Sequence, residues 1–185
     1  MGTKDSIDEF LERACRIFPH IDPEVEGAVD RICKLNKRFD TMLEHAVEEF
    51  GLNKGEFKVL ITLRQNNDDF TMSPGELGEE LLLSSGAMTN RLDKLEAAGF
   101  IAREPDPDDR RALIVRLTPA GIGKIDEAVN AAAHNEFAVV SVLTPAEQRR
   151  LNGLLRKLML SFEVKPMAVA AVGRVGVRAP RLPRP

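Results

Sequence analysis

The fold is decided by the stretch SPGELGEELLLSSGAMTNRLDKLEAAG, which occupies residues 73–99. Ser73 followed three residues later by Glu76 is a capping-box pattern, and it predicts a short helix through Leu82. A second helix is predicted over residues 85–98, and the glycine after it ends it because glycine readily adopts a left-handed backbone. Two short helices across a tight turn are typical of a helix-turn-helix motif, and also of any other helical hairpin.

The segment that follows predicts a β-hairpin with a charged tip. Residues 100–104 and 112–117 are short β-prone runs, and in the second run every other residue is apolar on one face. An arginine at such a tip can enter the narrow minor groove of DNA, and a neighbouring carboxylate can orient it through an ion pair. The candidates are Arg110 and Arg111, with Asp108 as the orienting acid. The alternative is a solvent-exposed turn rich in Asp and Pro.

The second helix has an outer face that suits the DNA major groove. At about 100° per residue, Met88, Leu92 and Leu95 lie together and are predicted to face the core. The opposite face is small and polar, which lets the N-terminal end of the helix approach phosphates while longer side chains reach base edges. The alternative is a solvated helix face. The predicted DNA-binding residues on this helix are Ser85, Gly86, Ala87, Thr89, Asn90 and Lys94.

The rest of the chain is predicted to be helical, so the fold class is mainly α with a β-hairpin wing. Ser6 is the predicted cap of a first helix, and Asp22 opens a long helix whose apolar stripe runs to Gly51. A stripe of about seven turns packs against several helices or a second subunit, and it predicts a homodimer. Two further helices start after Thr118 and Thr144, and their apolar faces are expected to be buried.

The chain is accordingly divided into four parts with different predicted roles. These are N-terminal dimerisation helices in residues 1–52, a winged helix-turn-helix lobe in residues 53–118, C-terminal dimerisation helices in residues 119–163, and a disordered basic tail in residues 164–185 that is either a native extension or an artefact.

Length and composition exclude several classes of protein. At 185 residues, 43% apolar and 30% charged, the chain fits one globular domain, and it has no apolar run of about 20 residues that could span a membrane. The N-terminus lacks the pattern of a secretory signal, so a cytoplasmic location is expected. Three histidines and two cysteines are scattered, and no Gly-rich phosphate loop is present. No metal, cofactor or enzymatic activity is predicted.

The net charge of −3 is unevenly distributed. Five of the 26 Lys and Arg residues lie in residues 164–185, which contain no acid, so residues 1–163 hold the other 21 against all 29 Asp and Glu. That balance of −8 argues against coating nucleic acid through bulk positive charge. The absence of Tyr and Trp removes the usual platforms for single-stranded bases, although nine Phe remain. DNA binding must therefore rest on a few well-placed cations.

The motifs together resemble the MarR family of bacterial transcription regulators. The resemblance covers about residues 24–162, and it is carried by the helix that ends in LEAAG (95–99), the hairpin tip DPDDRR (106–111) and the following LTPAG (117–121). It implies a winged helix-turn-helix homodimer that represses a palindromic operator and is released by a small anionic or phenolic ligand. It also implies that Arg110 is the minor-groove arginine and Asp108 its partner. The alternative is a winged-helix module that binds proteins and no specific DNA.

Three cations are candidates for an effector site. Arg91 points back toward the scaffold and Arg103 follows where the first wing strand leaves the helix, so neither is placed to read bases. They can pair with internal carboxylates or hold an anionic ligand. Both resemble the ligand-responsive arginines of the urate-sensing branch of the family, which also has an N-terminal helical extension. Lys58 stands where that branch has an acid, and the branch's tryptophan is missing.

The two cysteines are expected to pack inertly. Cys15 and Cys33 lie on or beside apolar stripes, and the family's peroxide-sensing branch holds its reactive cysteine with tyrosines, of which this chain has none.

Overall fold

The structure, a computed structural model, describes residues 3–66, 69–106 and 112–163. Within these ranges the chain is mainly helical with one small antiparallel sheet, which is the predicted fold class. The elements are α1 (Ser6–Ile17), α2 (Pro23–Glu48), α3 (Lys54–Asn66), β1 (Thr71–Met72), α4 (Pro74–Glu80), α5 (Ser85–Ala97), β2 (Ile101–Pro105), β3 (Leu113–Leu117), α6 (Pro119–Val140) and α7 (Pro145–Glu163). None of the described helices is both long and apolar enough to cross a bilayer.

Two compact units can be distinguished along the chain. One comprises residues 37–139, and the other comprises residues 1–36 together with 140–185. The four-part division by role stays a prediction.

The sheet has the strand order β1–β3–β2, with both pairs antiparallel. Strands β2 and β3 form the predicted hairpin, in register from Ile101 opposite Leu117 to Pro105 opposite Leu113. Strand β1 is not among the strands predicted from the sequence, which are the two runs of the hairpin. Two residues are too few to give an alternating pattern, and the strand exists because the outer edge of β3 offers free backbone groups.

The core of the 37–139 unit forms where α3, α4, α5 and α6 meet the inner face of the sheet. Its fully buried side chains include Leu60 and Leu63 of α3, Val115 of β3 and Ile125 of α6. At roughly 1.5–3 kcal/mol for each large apolar side chain removed from water, this cluster is the main stabilising contribution to the unit. It also fixes which face of α5 turns inward.

In the other unit, α1 is capped and tied to α2 by the same two carboxylates. Asp5 accepts hydrogen bonds from the N–H groups of Ile7 (2.8 Å) and Asp8 (3.0 Å), so the predicted cap at Ser6 is wrong by one residue. The Arg31 guanidinium contacts Asp5 at 2.9 Å and Asp8 at 2.6 Å. Its hydrogen bond, together with those from the backbone, lowers the pKa of Asp5 to about 2.

The apolar face of α7 is exposed, contrary to the expectation that it is buried. None of the α7 residues is buried within the chain. Within one chain the expectation is not met, because the described residues do not cover this face; its burial against a second copy stays a prediction. The large apolar side chains of α7 exposed by 38–65% are Leu151, Leu154, Leu155, Leu158, Met159, Leu160 and Phe162.

Candidate nucleic-acid interface

Helix α5 presents the two faces predicted from its sequence. Met88, Leu92 and Leu95 are each at most 2% exposed and join the core. The side of the helix away from the core is open to solvent. All six DNA-binding residues predicted on this helix are exposed, namely Ser85, Gly86, Ala87, Thr89, Asn90 and Lys94.

The first turn of α5 leaves room for a close approach. Ser84 caps the helix by accepting a hydrogen bond from the Ala87 N–H at 3.4 Å. A Cβ atom added at Gly86 would have no atom within 4 Å among the described residues, so its backbone lies at an open surface. Thr89 turns its hydroxyl back to the Ser85 carbonyl at 2.9 Å. This compact, exposed turn can carry a phosphate on its free N–H groups, aided by the helix dipole.

Helix α4 orients α5 from the opposite side of the turn. Its capping box is formed as predicted: the Ser73 N–H donates to Glu76 at 2.8 Å, and the Glu76 N–H donates to Ser73 Oγ at 3.2 Å. The hydrogen bonds that the Glu76 carboxylate accepts from the backbone N–H and the side chain of Ser73 lower its pKa. The helix ends at Glu80, two residues earlier than predicted, because Leu82 takes a left-handed φ of 52° and reverses the chain. The turn is closed by the Leu83 N–H donating to the Gly78 carbonyl at 2.8 Å.

The wing is well defined at its base. Arg116 of β3 donates to Glu104 of β2 at 3.2 Å and to the Asp69 carbonyl at 3.2 Å. The Asp106 N–H donates to the Ala112 carbonyl at 3.0 Å at the far end of the strands. The tip, including the predicted DNA contacts Asp108, Arg110 and Arg111, lies outside the described residues.

Arg103 is held by two carboxylates of α5. Its guanidinium contacts Asp93 at 2.7 Å and Glu96 at 3.4 Å, and its backbone N–H donates to Glu96 at 3.3 Å. Pairing with internal carboxylates was one of the two predicted alternatives for this residue. The two acids were missed as its partners, although their i, i+3 spacing on a helix followed closely by a strand arginine is a readable signal.

Arg91 lies on a different side of α5. A Cβ atom added at Gly55 of α3 would come within 2.8 Å of the Arg91 Cζ, so the guanidinium lies directly over the first turn of α3. At about 100° per residue, Asp93 and Glu96 are roughly 200° and 140° around the helix from Arg91. The structure therefore does not bring Arg91 and Arg103 together. Lys58 is exposed one turn after Gly55, on the same face of α3.

The comparison with known proteins decides the family. A model of the MarR family matches residues 52–113. The HTH-type transcriptional regulator YkoM of Bacillus subtilis is 36% identical over 142 residues, which cover 74% of this chain and 88% of that protein. The multiple antibiotic resistance protein MarR of Salmonella typhimurium is 30% identical over 131 residues, which cover 69% and 88%. The chain belongs to the MarR family.

A solved structure supports the same assignment. A mutant of Escherichia coli MarR complexed with operator DNA matches with a TM-score of 0.60 and 27% identity, covering 73% of this chain and 95% of that one. The MarR-family winged helix-turn-helix fold is thereby confirmed. As a member of this family the protein is a DNA-binding transcription regulator, and in this fold α5 is the second helix of the helix-turn-helix and the β2–β3 hairpin is the wing.

Proposed function

We propose that the protein is a homodimeric repressor of a palindromic operator. The observation that carries this proposal is the orientation of α5: burial of Met88, Leu92 and Leu95 turns a small, polar surface outward. A helix with such a surface enters a major groove about 12 Å wide, and Asn90 has the amide geometry that pairs with adenine. Lys94, one turn later, reaches base edges or phosphate. The wing tip then contacts the adjacent minor groove through Arg110, as the resemblance implies.

The dimer is supported by the exposed face of α7. Leu154, Leu155, Leu158 and Phe162 lie within about 100° of one another around the helix. Exposing an apolar stripe of this kind to water is energetically unfavourable, and such a stripe is typical of a helix that packs against a second copy. Two-fold symmetry would present the two recognition helices to half-sites about 10 bp apart, which is why a palindrome is expected.

The interface is tested by alanine substitution on α5, using duplexes that the wild-type chain enriches from a random pool. Asn90→Ala is expected to weaken binding by about 5- to 100-fold and to relax preference at one base position of each half-site. Lys94→Ala is expected to lower affinity and to reduce the salt dependence of binding by the amount expected for one lost phosphate contact. Fluorescence anisotropy at several salt concentrations measures both effects.

The matched controls are Asn130→Ala on α6 and Lys157→Ala on α7, both exposed residues outside the proposed interface. They are expected to bind as the wild type does. Equal affinity of all four variants would contradict the interface. The absence of any DNA binding would favour the protein-interaction module.

We further propose that a small anionic or phenolic ligand releases the operator, with Arg91 as its main contact. Arg91 is half-buried and its guanidinium lies against Gly55, and none of the ion pairs found among the described residues involves it. A shielded cation of this kind favours an anion, and Lys58 adds positive charge on the same face of α3. An effector acts only if it binds better to one spacing of the recognition helices than to the other. Arg103, occupied by its two carboxylates, is a weaker candidate than Arg91.

Salicylate, which is both anionic and phenolic, is a suitable probe. Millimolar salicylate is expected to lower operator affinity of the wild type, and Arg91→Ala is expected to lose this response while binding DNA normally. Arg64→Ala is the control, because Arg64 is paired with Asp126 at 3.0 Å. An Arg91→Ala protein that still responds would contradict the site.

A further inference from the structure

We propose that Arg103 is a positioning residue for DNA binding, which fixes the direction of the wing relative to the recognition helix. This inference rests on the proposed function, because it assigns Arg103 a role in operator binding without a contact to DNA. It is carried by the contacts that join β2 to α5.

One guanidinium joins the wing to two successive turns of α5. The Arg103 Nη2 atom lies 2.7 Å from Asp93, and Nη1 lies 3.4 Å from Glu96. The Arg103 side chain is 23% exposed, whereas Asp93 and Glu96 are 57% and 41% exposed, so solvent screens the charges and the contacts matter for their geometry. Two planar contacts in different directions restrict both tilt and rotation of β2, which a single point contact does not.

Because the wing is long, a small change of angle at its base displaces its tip by a large distance. A strand of five residues at about 3.4 Å each is roughly 17 Å long, so a tilt of about 10° at the base moves the far end by about 3 Å. A displacement of that size is about the donor–acceptor distance of a hydrogen bond, so it would remove any oriented contact at the tip. Positioning contacts must hold a binding group within about 0.5 Å to preserve its interaction. Within the described part of the wing, Arg103 is the side chain that pairs with carboxylates of α5.

Arg103 also offsets negative charge on the outward face of α5. Asp93 is 57% exposed and lies one turn after Asn90, on the side proposed to face DNA. Removing the arginine charge would therefore both loosen the wing and leave an unpaired carboxylate near phosphate. The experiment must separate these two effects, and Arg103→Lys does so because lysine keeps the charge but cannot form both planar contacts.

The test is a double-mutant cycle between Arg103 and the wing tip, read as affinity for the enriched palindromic duplex. Arg103→Lys is expected to weaken binding by about tenfold in the wild-type background. In an Arg110→Ala background, where the tip contact is already lost, the same substitution is expected to change affinity by less than twofold. If Arg103 acts only by positioning the tip, its substitution has no further effect on affinity once Arg110→Ala has removed the tip contact. A general loss of charge or stability would lower affinity in both backgrounds.

Two results would overturn the proposal: wild-type affinity of Arg103→Lys, or equal losses in both backgrounds. The control is Arg64→Lys, which alters the ion pair between α3 and α6 and is expected to leave affinity unchanged in both backgrounds. Thermal unfolding checks that every variant is folded. If the wild type enriches no duplex, the proposed function fails; if it does and Arg103→Lys binds equally, only the role of Arg103 fails.

Discussion

Gly121→Ala is expected to lower the free energy of unfolding by about 3 kcal/mol, because α6 approaches the start of β2 too closely for a side chain. A Cβ atom at Gly121 would lie 1.9 Å from the carbonyl oxygen of Phe100 and 2.9 Å from its carbonyl carbon. These are backbone atoms, so no change of rotamer relieves the overlap. The N-terminal end of α6 would have to move away from the turn that follows the recognition helix.

That movement would break a compact set of hydrogen bonds. Thr118 donates its hydroxyl to the Gly99 carbonyl at 2.7 Å, accepts from the Gly121 N–H at 3.0 Å, and donates its own N–H to Phe100 at 3.1 Å. Ile125, one turn further along α6, is fully buried in the core and would be displaced with it. The predicted cost combines overpacking, about 1–3 kcal/mol, with weakened hydrogen bonds of about 1 kcal/mol each.

Urea denaturation at a fixed protein concentration measures this effect, since the proposed dimerisation would make the midpoint depend on concentration. The matched control is Gly123→Ala, two residues along the same helix, where an added Cβ would have no atom within 4 Å among the described residues. That substitution is expected to stabilise the protein by roughly 0.5–1 kcal/mol, because alanine is the better helix former. A Gly121→Ala protein as stable as the wild type would show that the close contact is not maintained.

Leu158→Glu is expected to convert the protein to a monomer and to lower operator affinity by about 100-fold or more. Leu158 is 49% exposed in the single chain and lies at the centre of the apolar face of α7. A buried, unpaired carboxylate in the proposed dimer interface would cost several kcal/mol. Without the dimer the two half-sites are bound independently, and the gain of about 10²–10⁴ from linking two contacts is lost.

The matched control for this substitution lies on the same helix. Leu160 is 47% exposed, and at about 100° per residue it points about 160° away from Leu158. It shares its side of α7 with Arg156 and Lys157, so Leu160→Glu is expected to leave both dimerisation and DNA affinity unchanged. Sedimentation equilibrium and anisotropy measure the two properties. A dimeric Leu158→Glu protein with normal affinity would exclude this face as the interface.

Local signals in the sequence predict most of the fold correctly. The capping box predicted at Ser73 forms, and one also forms at Thr144, where a helix start is predicted, because such a box involves only residues three apart. The spacing of Met88, Leu92 and Leu95 predicts the inward face of α5 for the same reason. Residues close in sequence suffice to determine these features.

The features that the sequence did not predict depend on residues far away in the chain, or on which of two adjacent residues caps a helix. Strand β1 exists only because β3 lies beside it, and the acids that hold Arg103 become its partners only when the hairpin folds back on α5. At the N-terminus, Asp5 and Ser6 are both good caps, and Asp5 is the cap in a structure where it also binds Arg31 from a different helix. The exposure of α7 depends on what covers it, which periodicity does not show.

The most direct test of operator recognition by α5 is selection of duplex DNA from a random pool by the full chain at near-physiological salt. An inverted repeat with half-site centres about 10 bp apart is expected, and the same selection with Asn90→Ala should lose preference at one position in each half. Recovery of no sequence, or of one unaffected by Asn90→Ala, would contradict recognition through this helix.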